Sequence, residues 1–381
     1  STILESRVAA APKSADHRLR DALDRVIEAT QRRHPAMAST ARGVRHRLFD
    51  RPLMDRHRDA VVTEMRQHAL SIAGPDPVQY SCESRARHLN YEFTRLLGTH
   101  QMEKIAVVGA GLVGRAWAIV FARAGYPVML YDSNAETVAK SLETVESSLN
   151  DLQEFGLISE SPSVIRSRMS VAKTLNEVLD GAAYAQESTL ENVDVKKQIF
   201  ADMDAVAAPN TILASSTSTF MTSAFATEVK GRHRCLVAHP VNPPYLIPLV
   251  EVSPAAFTSP DTAKRTYDLM LAVGQKPIMM HKETQGFILN RLQWALMAEA
   301  YRLVDDGYVG VEDLDKCLKE GLGLRWSFIG PFEVGDLNAP GGIADYSRRF
   351  GPMIYEMDSS AQSNARKWSD ELLTKIEKER R

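Results

Sequence analysis

Few folds can accommodate the stretch Lys104–Asp132, KIAVVGAGLVGRAWAIVFARAGYPVMLYD. Ile105 to Val108 is an apolar, β-branched run suited to a buried parallel strand, and it breaks into Gly109-Ala-Gly111-Leu112-Val113-Gly114. Leu112 to Ala124 has the pattern of a helix stopped at Gly125, and a second apolar run, Pro127 to Tyr131, ends in Asp132. The order is strand, tight turn, helix, strand. In such a unit Gly109 permits the turn, Gly111 lets a diphosphate approach the backbone, and Gly114 lets helix and strand pack closely. Leu112 and Val113 then offer their amides at the positive end of the helix. Asp132 is placed to accept hydrogen bonds from a ribose diol, and Ser133, not an arginine, follows it. That combination predicts NAD as cofactor in preference to NADP.

At 381 residues with a net charge of −2, the chain can hold two or three domains and carries no charge excess that demands a polyanionic partner. No apolar run is long enough for a membrane span, and the N-terminus lacks the pattern of a signal peptide; a soluble, cytoplasmic protein is expected. Cys82, Cys235 and Cys317 are widely spaced and odd in number, which supports neither a disulfide framework nor a metal site.

Residues 1–101 form a segment of their own. Their positive charge is almost all arginine, with Lys13 the one lysine, and they carry His17, His34, His46, His57, His68, His88 and His100. Leu19, Leu23, Val26 and Ile27, and then Val61, Val62, Met65 and Leu70, show helical spacing. A helical extension is expected, without assigned function. Interspersed acids such as Asp21, Asp24, Asp55 and Asp59 argue against a nucleic-acid arm, and the histidines are not spaced as metal ligands.

From Met102 the patterns alternate as in a doubly wound α/β sheet. Strands are expected at Met169–Ala172, Ala183–Gln186, Thr211–Ser215, Cys235–Ala238, Leu249–Val252 and Lys276–Met280. Helices are expected at Ala135–Phe155, Asn176–Leu179, up to Ala207, and at Ser259–Val273. From residue 285 to 381 the patterns are helical, with a long helix from Phe287 to Asp305 and another from Val311 to Glu320. The expected organisation is therefore an extension (1–101), a dinucleotide-binding domain (102–284) and an all-α domain (285–381).

Beside a nicotinamide, a group is needed that takes a hydroxyl proton as hydride leaves the same carbon, and histidine is suited to this near neutral pH. His239 ends an apolar strand in His239-Pro-Val-Asn242-Pro-Pro244, at the sheet edge where open α/β folds bind ligands. Glu251 lies in the next apolar run, where a lone carboxylate is costly unless paired. A carboxylate bonded to Nδ1 would fix the tautomer and support an imidazolium, so the two together indicate a catalytic dyad. Ser218 follows another strand end, where it is either a turn residue or a ligand contact. Asn290 stands early in the long helix despite its poor helix propensity, serving either the domain junction or the substrate.

Taken together these motifs resemble the 3-hydroxyacyl-CoA dehydrogenase family over about Lys104–Met357. The resemblance implies a Rossmann domain for NAD and a helical domain that closes the substrate cleft and forms a homodimer. It implies His239 as catalytic base, Glu251 as its orienting acid, Ser218 and Asn290 as substrate contacts, and Asp132, Glu191 and Lys196 as cofactor contacts, with Asn242 beside the substrate. Glu320-Gly-Leu-Gly-Leu-Arg325-Trp326-Ser-Phe-Ile-Gly-Pro331 and Leu337-Asn338-Ala-Pro-Gly-Gly342 look like the λ-crystallin branch, which includes L-gulonate 3-dehydrogenase, with L-carnitine dehydrogenase a near neighbour. Arg325 matches a substrate carboxylate bidentately or forms an ion pair at the domain junction. Acyl-CoA enzymes of the family carry a lysine-rich helix after the second strand; here Glu143, Glu146, Asp151, Glu154 and Glu160 face a single lysine, Lys140. This points to a free hydroxy acid, with L-gulonate leading, over an acyl-CoA. A structural protein that keeps the fold without turnover, or an NAD-sensing binding protein, are the readings of another class.

Overall fold

Eight short apolar runs assemble into one sheet in the computed structural model, which describes residues 103–363 and 367–380. The helices expected around residues 19–27 and 61–70, the seven N-terminal histidines and Cys82 lie outside the described residues. The order across the sheet is β3 (Met169–Val171), β2 (Val128–Tyr131), β1 (Lys104–Val108), β4 (Ala182–Glu187), β5 (Ile212–Ser215), β6 (Cys235–Pro240), β7 (Leu249–Pro254) and β8 (Lys276–Met279). The chain reverses direction across the sheet between β1 and β4, which makes that crevice the topological switch point.

The β1 strand is buried at every position from Ile105 to Val108, as a parallel strand covered on both faces must be. Helix α1 (Leu112–Arg123) lies after it, with a continuous buried run from Ala116 to Ala122. Trp117 and Phe121 stack at 5.3 Å within the main core, and full burial of side chains this size contributes about 1.5–3 kcal/mol each. Helix α2 (Ala135–Glu154) is capped by Asn134 and buries Val138, Ser141, Val145, Leu149 and Leu152, one stripe at helical spacing.

Helices α3 (Pro162–Arg166), α4 (Leu175–Leu179), α5 (Val193–Val206), α6 (Thr222–Ala226) and α7 (Pro260–Ala272) complete the layers around the sheet. The five-residue α3 and α6 have no counterpart among the expected helices, because so short a segment shows no period. The β6–β7 pair is antiparallel while every other pair is parallel. Residues 241–248 hold no helix, and a connection so short cannot carry a crossover to a parallel strand.

The chain divides into two compact units between Glu283 and Thr284. The second contains α8 (Leu289–Asp305), α9 (Val311–Lys316), α10 (Leu324–Trp326), α11 (Pro331–Leu337), α12 (Gly342–Ser363) and α13 (Asp370–Arg380). Its core gathers Val304, Val311 and Leu372 with Tyr301 and Ile376. Helix α8 starts two residues later than its apolar pattern suggests because Phe287 is buried with φ of 50°, outside right-handed helix space. Likewise α9 stops at Lys316 and opens into a π-helical turn, Cys317–Gly323, that contains Gly321 and Gly323. The Arg325-Trp326 pair follows that turn after Leu324. No helix among the described residues is long and apolar enough to cross a membrane.

Candidate active site

At the turn after β1 the backbone itself explains two of the three glycines. Gly109 has φ of +95°, and a Cβ there would lie 2.6 Å from the Ser188 carbonyl carbon. A Cβ on Gly114 would lie 1.8 Å from the Gly109 oxygen, so only glycine lets α1 approach the turn. Gly111 differs: nothing lies within 4 Å of its virtual Cβ, and its φ of −68° suits any residue. Its open face leaves space for a group from outside the chain. Gly111 is also the N-cap of α1, with no side-chain cap and no acid in the first turn, so the amides there are left for an anion. Ser141 supports the turn from below by donating to the Ala110 carbonyl. Asp132 accepts from the Ala110 amide at 2.9 Å through Oδ2 and from the Asn134 amide at 3.0 Å through Oδ1. A carboxylate has about four acceptor sites, so capacity for a ribose diol remains. Leu112 is exposed and Val113 packs partly against the core. The turn, the uncapped helix and the acid fit a dinucleotide, whose diphosphate the amides of residues 111–114 would hold and whose adenosine ribose Asp132 would receive.

Three strands along the sheet from β1, β6 meets β7. Because they run antiparallel, His239 and Glu251 stand directly opposite each other in register. His239 Nδ1 lies 2.8 Å from Glu251 Oε2, with Glu251 fully buried and His239 7% exposed. Glu251 is a pure acceptor when ionised, so Nδ1 carries the proton and Nε2 presents its lone pair. This arrangement can take up a proton at Nε2 and hold the resulting charge against the carboxylate.

Ser218 belongs to a segment after β5 that is fixed by Glu191. One Glu191 oxygen accepts from the Thr217 hydroxyl at 2.6 Å, the Ser218 amide at 3.0 Å and the Thr219 amide at 3.1 Å. Burial works to raise the Glu191 pKa, but the Thr217 hydroxyl, the Lys196 charge and the Ser218 amide outweigh it and lower the carboxyl below its ordinary value. Lys196, 1% exposed, reaches Glu191 at 3.3 Å and Glu187 at 3.1 Å. Glu187, fully buried at the end of β4, also accepts from Ser215 and from the Thr189 amide and hydroxyl at 2.6 Å. Lys196 thus lies beneath the segment, and Glu187 is a member of the network that the sequence reading missed. The signal was present: a carboxylate in an apolar strand, at its end here and in its interior at Glu251. Breaking such a buried pair from one side costs about 3–5 kcal/mol, because a charge is left without its partner.

Asn242 is exposed after β6 and joined to Pro243 by a cis peptide bond. In the second unit, Asn290 is half-buried in the first turn of α8, and Arg325 is exposed in α10 without an ion pair among the described residues. No cluster of potential metal ligands occurs among the described residues.

The family model for the 3-hydroxyacyl-CoA dehydrogenase NAD-binding domain matches residues 104–284, and that for the C-terminal domain of the same family matches residues 286–374. Rabbit (Oryctolagus cuniculus) lambda-crystallin is 44% identical over 248 residues, 65% of this chain and 77% of the relative. L-carnitine dehydrogenase of Streptomyces griseus is 37% identical over 257 residues, 66% of this chain and 75% of the relative. A solved structure of an NAD+-dependent dismutase, 5-formyl-3-hydroxy-2-methylpyridine 4-carboxylic acid 5-dehydrogenase, superposes with a TM-score of 0.61 at 26% identity, covering 73% of this chain and 87% of that one. The cofactor is NAD, and the chain belongs to the lambda-crystallin branch of the 3-hydroxyacyl-CoA dehydrogenase family.

Proposed function

We propose that the protein oxidises the 3-hydroxyl of a small, free hydroxy acid, with L-gulonate to 3-dehydro-L-gulonate as the leading reaction. The observation that carries the chemistry is the 2.8 Å contact between His239 and Glu251 at the carboxyl edge of the sheet. His239 Nε2 accepts the proton of the substrate hydroxyl, and the buried Glu251 carboxylate stabilises the imidazolium so formed. NAD, when bound, supplies the hydride acceptor. The Ser218 hydroxyl, kept in place by Glu191, donates to the reacting oxygen; a well-aimed donor there is worth about 3–4 kcal/mol of barrier. Lys196 contributes to the cofactor side by holding Glu191. Asn242, Asn290 and Arg325 are proposed substrate contacts on the family resemblance, Arg325 toward the carboxylate.

The choice of a free acid is supported by α2. Glu143, Asp151 and Glu154 are exposed there without an ion-pair partner among the described residues, while Lys140 is engaged by Glu136 at 2.9 Å. A polyphosphate such as the CoA nucleotide would be repelled. L-carnitine is the runner-up, favoured by the identity to L-carnitine dehydrogenase. A non-catalytic structural role is disfavoured by the intact dyad.

The proposed domains are those of the sequence reading, 1–101, 102–284 and 285–381. The proposed assembly is a homodimer, supported by large apolar side chains left exposed on the second unit: Leu292, Trp294, Phe328, Phe332 and Leu337. The cytoplasm is the proposed compartment, in keeping with the free thiols of Cys235 and Cys317.

NADH formation with L-gulonate, L-carnitine, L-3-hydroxybutyrate and 3-hydroxybutyryl-CoA at matched concentrations tests the reading. Preference for L-gulonate supports it. Preference for the thioester would overturn the argument from α2.

A further inference from the structure

Beneath the crevice between β1 and β4 lies a chain of polar side chains that the reaction does not use. Tyr184 and Gln186 on β4 and Trp117 on α1 are buried, and each directs a polar group toward Ser216 or its neighbour in the chain. The Tyr184 hydroxyl lies 2.6 Å from Gln186 Oε1. Gln186 Nε2 lies 2.7 Å from Ser216 Oγ and 3.4 Å from the Ala238 carbonyl. Trp117 Nε1 lies 3.1 Å from the same Ser216 oxygen, which is 2.9 Å from Ser188 Oγ.

Counting protons settles every direction in this chain. The Ala238 carbonyl only accepts, so the Gln186 face turned to it is the NH2 group, and Oε1 takes the Tyr184 proton. Indole N–H only donates. Ser216 therefore receives two hydrogen bonds, from Trp117 and Gln186, and both of its lone pairs are used. Its own proton can go only to Ser188. Ser188 is then an acceptor toward Ser216, and its hydroxyl proton has no other acceptor among the described residues.

Ser188 stands where that proton is useful. It is the first residue after β4, its amide donates to the Val108 carbonyl at 2.7 Å, and its backbone occupies the space a Gly109 Cβ would need. It is half-buried at the carboxyl end of the two strands, at the switch point itself. We propose that Ser188 is a cofactor-binding residue whose hydroxyl is set by Trp117, Gln186 and Ser216 to donate to an oxygen of the nicotinamide-side phosphate of NAD or of the ribose adjoining it. Asp132, at the end of β2, lies on the other side of β1, so the adenosine half of the cofactor is out of reach of Ser188. The chain restricts the donor in advance: the Ser216 bond closes one position about Ser188 Oγ to its proton before any ligand arrives, which lowers the cost of ordering it on binding.

The inference rests on NAD binding at the glycine turn, which NADH fluorescence titration of the unaltered full-length chain tests by itself. Failure there would sink that reading, whatever the variants do. Titration of Ser188→Ala and Ser216→Ala with NADH, and displacement by ADP-ribose, ADP and AMP, tests the inference. Ser188→Ala is expected to weaken NADH and ADP-ribose by about threefold to tenfold, the range one neutral hydrogen bond supplies, with AMP unchanged. An equal loss for ADP assigns the acceptor to the diphosphate, and a loss confined to ADP-ribose and NADH assigns it to the ribose. Ser216→Ala is expected to produce a smaller loss in the same direction, because Ser188 keeps its proton but not its aim. A change below about twofold for ADP-ribose in Ser188→Ala, or an equal loss of AMP, overturns the assignment, since the latter would mark a general disturbance of the turn. Undiminished ADP-ribose affinity in Ser216→Ala overturns the aiming role.

Discussion

His239 and Glu251 illustrate how residues of modest individual meaning acquire chemistry by position. A buried carboxylate is costly alone, and a strand histidine alone is ordinary; the antiparallel register sets them side by side at 2.8 Å. The same dependence on surroundings separates the two described cysteines. Burial, together with the nearby Asp204 charge, pushes the Cys235 thiol up to about 12, so almost no thiolate exists near neutral pH. Cys317 is exposed. Brief iodoacetamide treatment of the folded protein at pH 7.5, read by peptide mass, is therefore expected to label Cys317 and spare Cys235. Equal labelling of both would contradict the packing around β6.

At the scale of elements, the loop after β5 depends on a carboxylate from the turn that precedes α5. Glu191 has its pKa lowered in the folded state, despite burial, by Thr217, Lys196 and the Ser218 amide. A carboxylate depressed in this way stabilises the fold above its unfolded pKa of about 4.3, and the contribution is lost as pH falls through the lower folded value. Urea midpoints of the unaltered chain and of Glu191→Gln should thus differ by a constant amount above about pH 5 and converge as the pH drops further. A gap that widens on acidification would show that Glu191 is not held as described. The βαβ unit was legible because its signals are local: an apolar run, glycines at fixed spacing, a helix period. The pairing of His239 with Glu251 was legible because a carboxylate inside an apolar strand needs a partner, and an otherwise ordinary histidine ended the preceding strand. By contrast Glu187 and the Ser216 chain became visible only in three dimensions, since their partners lie up to 99 positions apart. The late start of α8 followed from the left-handed backbone of Phe287, which no periodicity reveals.

Over the whole molecule, the sheet unit buries a continuous core, whereas the helical unit keeps large apolar side chains exposed. Phe328 and Phe332 are 80% and 81% exposed, which in water is tolerated poorly when many such groups share one unit. The homodimer proposal predicts a mass of two chains by light scattering, and a shift to one chain in the double variant Phe328→Asp, Phe332→Asp with its helical signal retained. A single-chain mass for the unaltered protein would contradict it.

In the proposed reaction His239, oriented by Glu251, moves the hydroxyl proton. The most direct measurement is steady-state NADH formation by His239→Ala, with NADH affinity determined on the same sample. A fall in kcat of about 10²- to 10⁴-fold with cofactor affinity unchanged is expected for loss of a general base. Turnover that survives the substitution would contradict it.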